Sequence, residues 1–114
     1  MKLEVCVDSV EGMLAAAGAG ADRIELCSAL EVGGLTPSAG QMARAVELSV
    51  PVHALIRSRA GDFRFNDEEV ATMIADIGAA RRAGLAGVVI GAADDAGRLD
   101  VPALEKMREA AGPM

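Results

Sequence analysis

Two cysteines and a few charged neighbours have the types and spacing that chemistry needs. Cys6 lies in LEVCV and Cys27 in RIELC, and each follows a glutamate two residues earlier, Glu4 and Glu25. Thiolates are soft ligands of the kind Cu(I) prefers. The spacing is not C-x-x-C, so the pair depends on the fold to meet. Two other readings stay open: packed core thiols, or a disulfide, which needs Cα atoms within ~7 Å. Glu4 and Glu25 form a possible acid/base pair, because like charges held close raise one pKa. Ion pairing to Arg57 or Arg59 competes with that reading. Arg57 and Arg59, with Asp62 in SRAGDF, suit bidentate contacts to a small anionic substrate. A bridge from Arg57 to Glu25, with Asp62 tying down the loop, is the plainer alternative. His53 lies early on its strand and reads as a hydrogen-bonded core histidine. Gly33-Gly34 lacks G-x-G-x-x-G and reads as a tight turn. Asp94-Asp95-Ala96-Gly97, followed by Asp100, reads as a turn and a helix cap before it reads as a hard-cation site.

The elements that must position these residues alternate along the chain. Apolar, β-branched stretches predict strands near 2–7, 22–27, 52–57 and 86–91. Helices are expected near 9–18, 38–48, 67–83 and 101–111. Thr36-Pro37 reads as a cap followed by proline in the first turn. Asn66-Asp67-Glu68-Glu69 is the strongest helix start, with acids at the positive end. Val70, Met73, Ile74 and Ile77 then mark one apolar stripe. Four βα units in series predict a parallel sheet with right-handed crossovers. An open α/β sheet and part of a (βα)8 TIM barrel both fit.

Strand alternation separates the two readings. Leu3, Val5 and Val7 share one face, as do Ile24 and Leu26, and Val52, Ala54 and Ile56. The opposite faces collect Glu4, Cys6, Glu25, Cys27, His53 and Arg57. Helices packed on that side would bury unpaired ions at several kcal/mol each. A barrel lumen can hold them, and Cys6, Cys27 and Arg57 fall near the strand ends where barrel sites lie. The fold expected is therefore four consecutive βα units of the TIM-barrel type, a half barrel, as one domain over residues 1–114. Four units leave two open strand edges, a liability for a monomer. A homo-oligomer or a place in a longer chain is expected.

Composition excludes several function classes. The formal net charge is −6 and the only aromatics are Phe63 and Phe65, which disfavours a nucleic-acid partner. No apolar run approaches the ~20 residues needed to cross a bilayer. The opening MKLEVCVD does not resemble a secretory signal. Two cysteines without such a signal suggest a reducing, cytoplasmic setting.

LEVCVDSVE, ADRIELC with GGLTPS, PVHALIRSRAGDF, and GVVIGAADDAGRLD followed by AAGP together resemble the copper homeostasis protein CutC family over essentially the whole chain. The resemblance implies a (βα)8 barrel that binds Cu(I) in intracellular copper handling, with Cys6 and Cys27 as its metal ligands. Family proteins are about twice as long, so this chain resembles their N-terminal half. The alternative is a barrel enzyme in which Glu25 is the acid/base and Arg57 and Arg59 hold a small anion.

Overall fold

The structure, a computed structural model, describes residues 1–114. The strands are β1 (Glu4–Val7), β2 (Arg23–Leu26), β3 (Val52–Leu55) and β4 (Gly87–Val89). The helices are α1 (Val10–Gly18), α2 (Ala39–Ala45), α3 (Asp67–Ala83) and α4 (Val101–Ala111). All strand pairs are parallel, in the order β1-β2-β3-β4. One 3₁₀ turn, Leu30–Val32, interrupts the segment between β2 and α2.

Each helix starts on a side-chain cap. Ser9 accepts from the Gly12 amide, Asn66 from Glu69 and Asp100 from Ala103. α2 differs from expectation at both ends. Its cap is Ser38, not Thr36, and Ser38 forms a reciprocal capping box with Gln41. Thr36 is diverted: its hydroxyl accepts from the Arg57 amide and donates to the Arg57 carbonyl. The same contact draws Arg57 out of the strand ladder, so β3 ends at Leu55. α2 stops at Ala45 because the following amides reach back only three residues, Glu47 to Arg44 and Leu48 to Ala45. α3 and α4 occupy the spans the sequence predicts.

The sheet has a dry face and an open face. Val7, Ile24, Leu26, Val52, Ala54 and Ile56 are buried beneath the helices. Met13, Met42, Met73, Ile77 and Met107 reach them from α1 to α4. Flexible methionines fill a core that has almost no aromatic side chains to do so. On the open face Glu4, Cys6 and Arg23 are exposed, Glu25, His53 and Leu55 are half-buried, and Cys27 and Arg57 are buried. No helix covers that side. The polar residues therefore sit where the alternation places them, on the lumen side of a half barrel.

Candidate functional site

Strand register brings the two thiols together. Cys6 lies opposite Glu25 and Val7 opposite Leu26, so Cys27 sits one step past the last pair, diagonal to Cys6. The two Sγ atoms are 3.7 Å apart. Cys27 Sγ also lies 3.4 Å from the Val7 carbonyl, to which it donates. Cys27 is wholly buried and Cys6 is open to solvent. The roof over Cys27 is Gly34, whose φ is +93°. A Cβ there would come within 3.3 Å of Cys27 Sγ and 2.9 Å of Leu55 Cδ2, so only glycine lets the loop close over the sulfur.

This geometry weighs the three readings of the pair. Adjacent strands ~4.8 Å apart, with two residues of rise, place diagonal Cα atoms about 8 Å apart. That exceeds the ~7 Å a disulfide can bridge without backbone movement. The sulfurs would also have to close from 3.7 Å to ~2.05 Å. One shared metal ion asks less, because two bonds of ~2.3 Å span any separation up to about 4.6 Å. The donor set fits a soft ion: two thiols, and no cluster of three histidine, cysteine or carboxylate side chains that would hold a metal of higher coordination.

Burial controls the charge of the pair. It pushes the Cys27 thiol up to about 12, with the hydrogen bond and charge of Cys6 and the carboxylates of Glu25 and Asp8 adding to it. Cys6 is also raised, first by burial and then by Glu25, Glu4 and Asp8, with the Cys27 hydrogen bond opposing. Both are thiols at neutral pH, in a setting whose negative neighbours favour a cation. A bound metal must release their protons.

The rest of the open face divides sharply. Glu4 is ion-paired with Arg23. Glu25 is raised by burial and by the nearby charge of Glu4, while Arg23 opposes the shift. His53 is held neutral, its pKa lowered by burial first and then by Arg23. It is not the hydrogen-bonded core histidine expected. Its ring instead lies against Gly87, where a Cβ would meet Nε2 at 2.9 Å.

Arg57 and Arg59 are largely committed to the loops, with the Arg57 Nε buried and unpartnered, and Asp62 ties its loop down as the plainer sequence reading expected. Arg57 Nη1 donates to the carbonyls of Val32 and Gly34 at 2.8 and 2.9 Å, and Nη2 to Gly61 at 2.8 Å. Its guanidinium lies 4.9 Å from the Phe63 ring centroid. Arg59 pairs with Glu69 at 2.7 Å and Asp62 at 3.1 Å, and stacks over Phe65. Neither reaches Glu25. Arg57 binds the two loops at the strand ends to each other, and Arg59 ties its own loop to Glu69 on α3; neither makes the Glu25 bridge. The acidic loop is likewise self-contained: Asp94 accepts from the amides of Ala96 and Arg98. Sequence reasoning took Gly34 for a tight turn and Thr36 for a helix cap, and gave neither a place at the site. The only signal was their position directly after the Cys27 strand.

A family model described as the CutC family matches residues 1–114. A family protein CutC of Agrobacterium fabrum is 55% identical over 114 residues, which are 100% of this chain and 45% of that protein. Another, from Rhizobium meliloti, is 58% identical over 107 residues, covering 94% of this chain and 44% of its own. The crystal structure of a Streptococcus agalactiae protein, named provisionally as copper homeostasis protein CutC, superposes with a TM-score of 0.92 at 32% identity. The match covers 100% of this chain and 57% of that one. The chain spans less than half the length of the curated relatives it matches.

Proposed function

The chain belongs to the CutC family, and from that premise we propose that it serves copper homeostasis by binding one Cu(I) between Cys6 and Cys27. The observation that carries this reading is the 3.7 Å separation of two free thiols at the ends of adjacent strands, on the uncovered face. Cu(I) accepts two thiolates without further ligands, and harder metals do not. Cys6 would be the point of entry, since it is the exposed sulfur, and Cys27 would be the anchor beneath Gly34. The proposed setting is the cytoplasm, where a reducing pool keeps both thiols available. No helix is long and apolar enough to cross a membrane.

The enzyme reading keeps Glu25 as a carboxyl pushed toward its protonated form. Its two arginines are largely engaged with the loops, only the buried Arg57 Nε being without a partner. Copper binding is the better supported of the two.

The test is a competitive Cu(I) titration of fully reduced protein, repeated with Cys6→Ser and Cys27→Ser. Loss of a mere supporting residue around a metal costs 10–100-fold, so loss of either ligand is expected to cost more than about 100-fold. Unchanged affinity in the double variant would remove the proposal.

A further inference from the structure

The segment between β2 and α2 is a strap closed on itself. Ser28 and Leu35 exchange two backbone hydrogen bonds at its base, at 2.9 and 2.7 Å. The Gly34 amide donates back to the Ala29 carbonyl at 3.1 Å, and the Ser28 hydroxyl donates to the Thr36 carbonyl at 2.9 Å. These bonds shape the strap, and its tip is held from outside. The Leu30 amide donates to Asp8 Oδ2 at 3.2 Å, on an exposed edge. The other hold is buried: Arg57, 6% exposed, donates from one nitrogen, Nη1, to the carbonyls of both Val32 and Gly34. A Cβ at Gly33 would meet that nitrogen at 3.1 Å, so the guanidinium occupies the space beside the turn. Arg57 is itself fixed, by the Thr36 hydroxyl on its backbone and by Phe63 against its guanidinium.

We infer that Arg57 is a positioning residue of the thiol pair: by holding the Val32 and Gly34 carbonyls it keeps the strap seated on Cys27, so that Cys6 alone meets solvent. The chain of contacts is continuous. Arg57 holds the Gly34 carbonyl, and Gly34 is the residue packed against Cys27 Sγ and Leu55. Arginine suits the task because its planar fork serves both strap carbonyls from Nη1 and the Gly61 carbonyl of the next loop from Nη2. A lysine ammonium on a flexible stem cannot fix all three. With the latch removed, the strap keeps its internal bonds and lifts as a unit, a local opening that leaves the sheet folded. The inference deepens the copper reading and rests on it for what the pair binds. An incoming ion then meets Cys6 first and reaches Cys27 only past it.

The experiment treats the reduced, metal-free chain with limiting iodoacetamide at one pH and measures the label on each thiol by mass spectrometry, with circular dichroism to confirm folding. Cys6, the exposed thiol, is the reference within each molecule. Arg57→Ala is expected to raise the Cys27-to-Cys6 ratio about 10-fold or more. The rise should not depend on urea below the unfolding transition, because a local opening exposes little surface. Arg57→Lys keeps the charge and loses the fork, and should raise the ratio by a smaller factor. Asp100→Ala removes the cap of α4, away from the strap, and should leave the ratio at the wild-type value over the same urea range. An unchanged ratio in Arg57→Ala overturns the inference. So does a rise that climbs with urea or is matched by Asp100→Ala, which would make Arg57 a general support of the fold. Should Arg57→Ala fail to fold, Arg57→Lys decides alone by the same criteria. No copper is present, so failure here leaves the copper reading to its Cu(I) titration, and failure there leaves the latch standing.

Discussion

The β1–β2 end of the open face and the loop crown above β3 carry the same kind of promise in sequence. In the structure they do opposite things. At β1–β2 two free thiols face each other, and Glu25 makes no ion pair, since the nearby Arg23 is taken by Glu4. Above β3, Arg57 gives its two Nη groups to three loop carbonyls, and Arg59 is held by Glu69, Asp62 and Phe65. A charged side chain near a barrel's active end is therefore a functional candidate only after its hydrogen bonds are counted. Where the backbone has already claimed them, the residue is architecture.

The largest effect should come from the crown. Arg57→Ala leaves the carbonyls of Val32, Gly34 and Gly61 without their donor; the Gly34 contact is buried, where an unsatisfied group costs ~1–3 kcal/mol, and the other two are partly open to water and cost less. A loss of about 3 kcal/mol in denaturant unfolding is expected. Stability unchanged, with binding of a small anion lost, would reverse the comparison and return Arg57 to the enzyme reading. Next comes Gly34→Ala, at φ +93° and with Leu55 Cδ2 2.9 Å from the new Cβ. It should destabilise by roughly 1–3 kcal/mol. It should also speed alkylation of Cys27 in the native protein, because the roof can no longer close. Alkylation at the wild-type rate would show that Gly34 does not shield the sulfur.

A smaller effect isolates burial from pairing. Asp76 on α3 has its pKa raised by burial alone. Its folded form holds the proton more tightly than the unfolded chain does. Ionisation therefore destabilises the fold at neutral pH, and the penalty disappears as pH falls through the folded pKa. Asp76→Asn should raise the thermal midpoint slightly at pH 7, within about 0.5 kcal/mol, and give no gain in acid. An equal gain at both pH values would mean the carboxylate's charge is not the cause.

Much of this was legible beforehand. Alternation assigned Val7, Ile24, Ala54 and Ile56 to the helices, and Cys6, Glu25 and Cys27 to the lumen, because a strand's period is fixed by its backbone. Asn66 and Asp100 were readable as caps because their preference is local. Distance and saturation were not legible. The 3.7 Å between the sulfurs follows from register, which neither strand encodes alone. Thr36 looked like a cap because Thr-Pro usually is one, and a tertiary contact to Arg57 outweighed that preference. His53 looked like a core residue in need of a partner, and the missing side chain at Gly87 gave it room to stay without one.

X-ray absorption at the copper edge, on the reduced protein loaded with one equivalent of Cu(I), examines the β1–β2 region most directly. Two sulfur neighbours and no nitrogen are predicted, with one of the sulfurs lost in Cys6→Ser. A first shell containing histidine nitrogen or carboxylate oxygen, unaltered by that substitution, would contradict the assignment of the metal to Cys6 and Cys27.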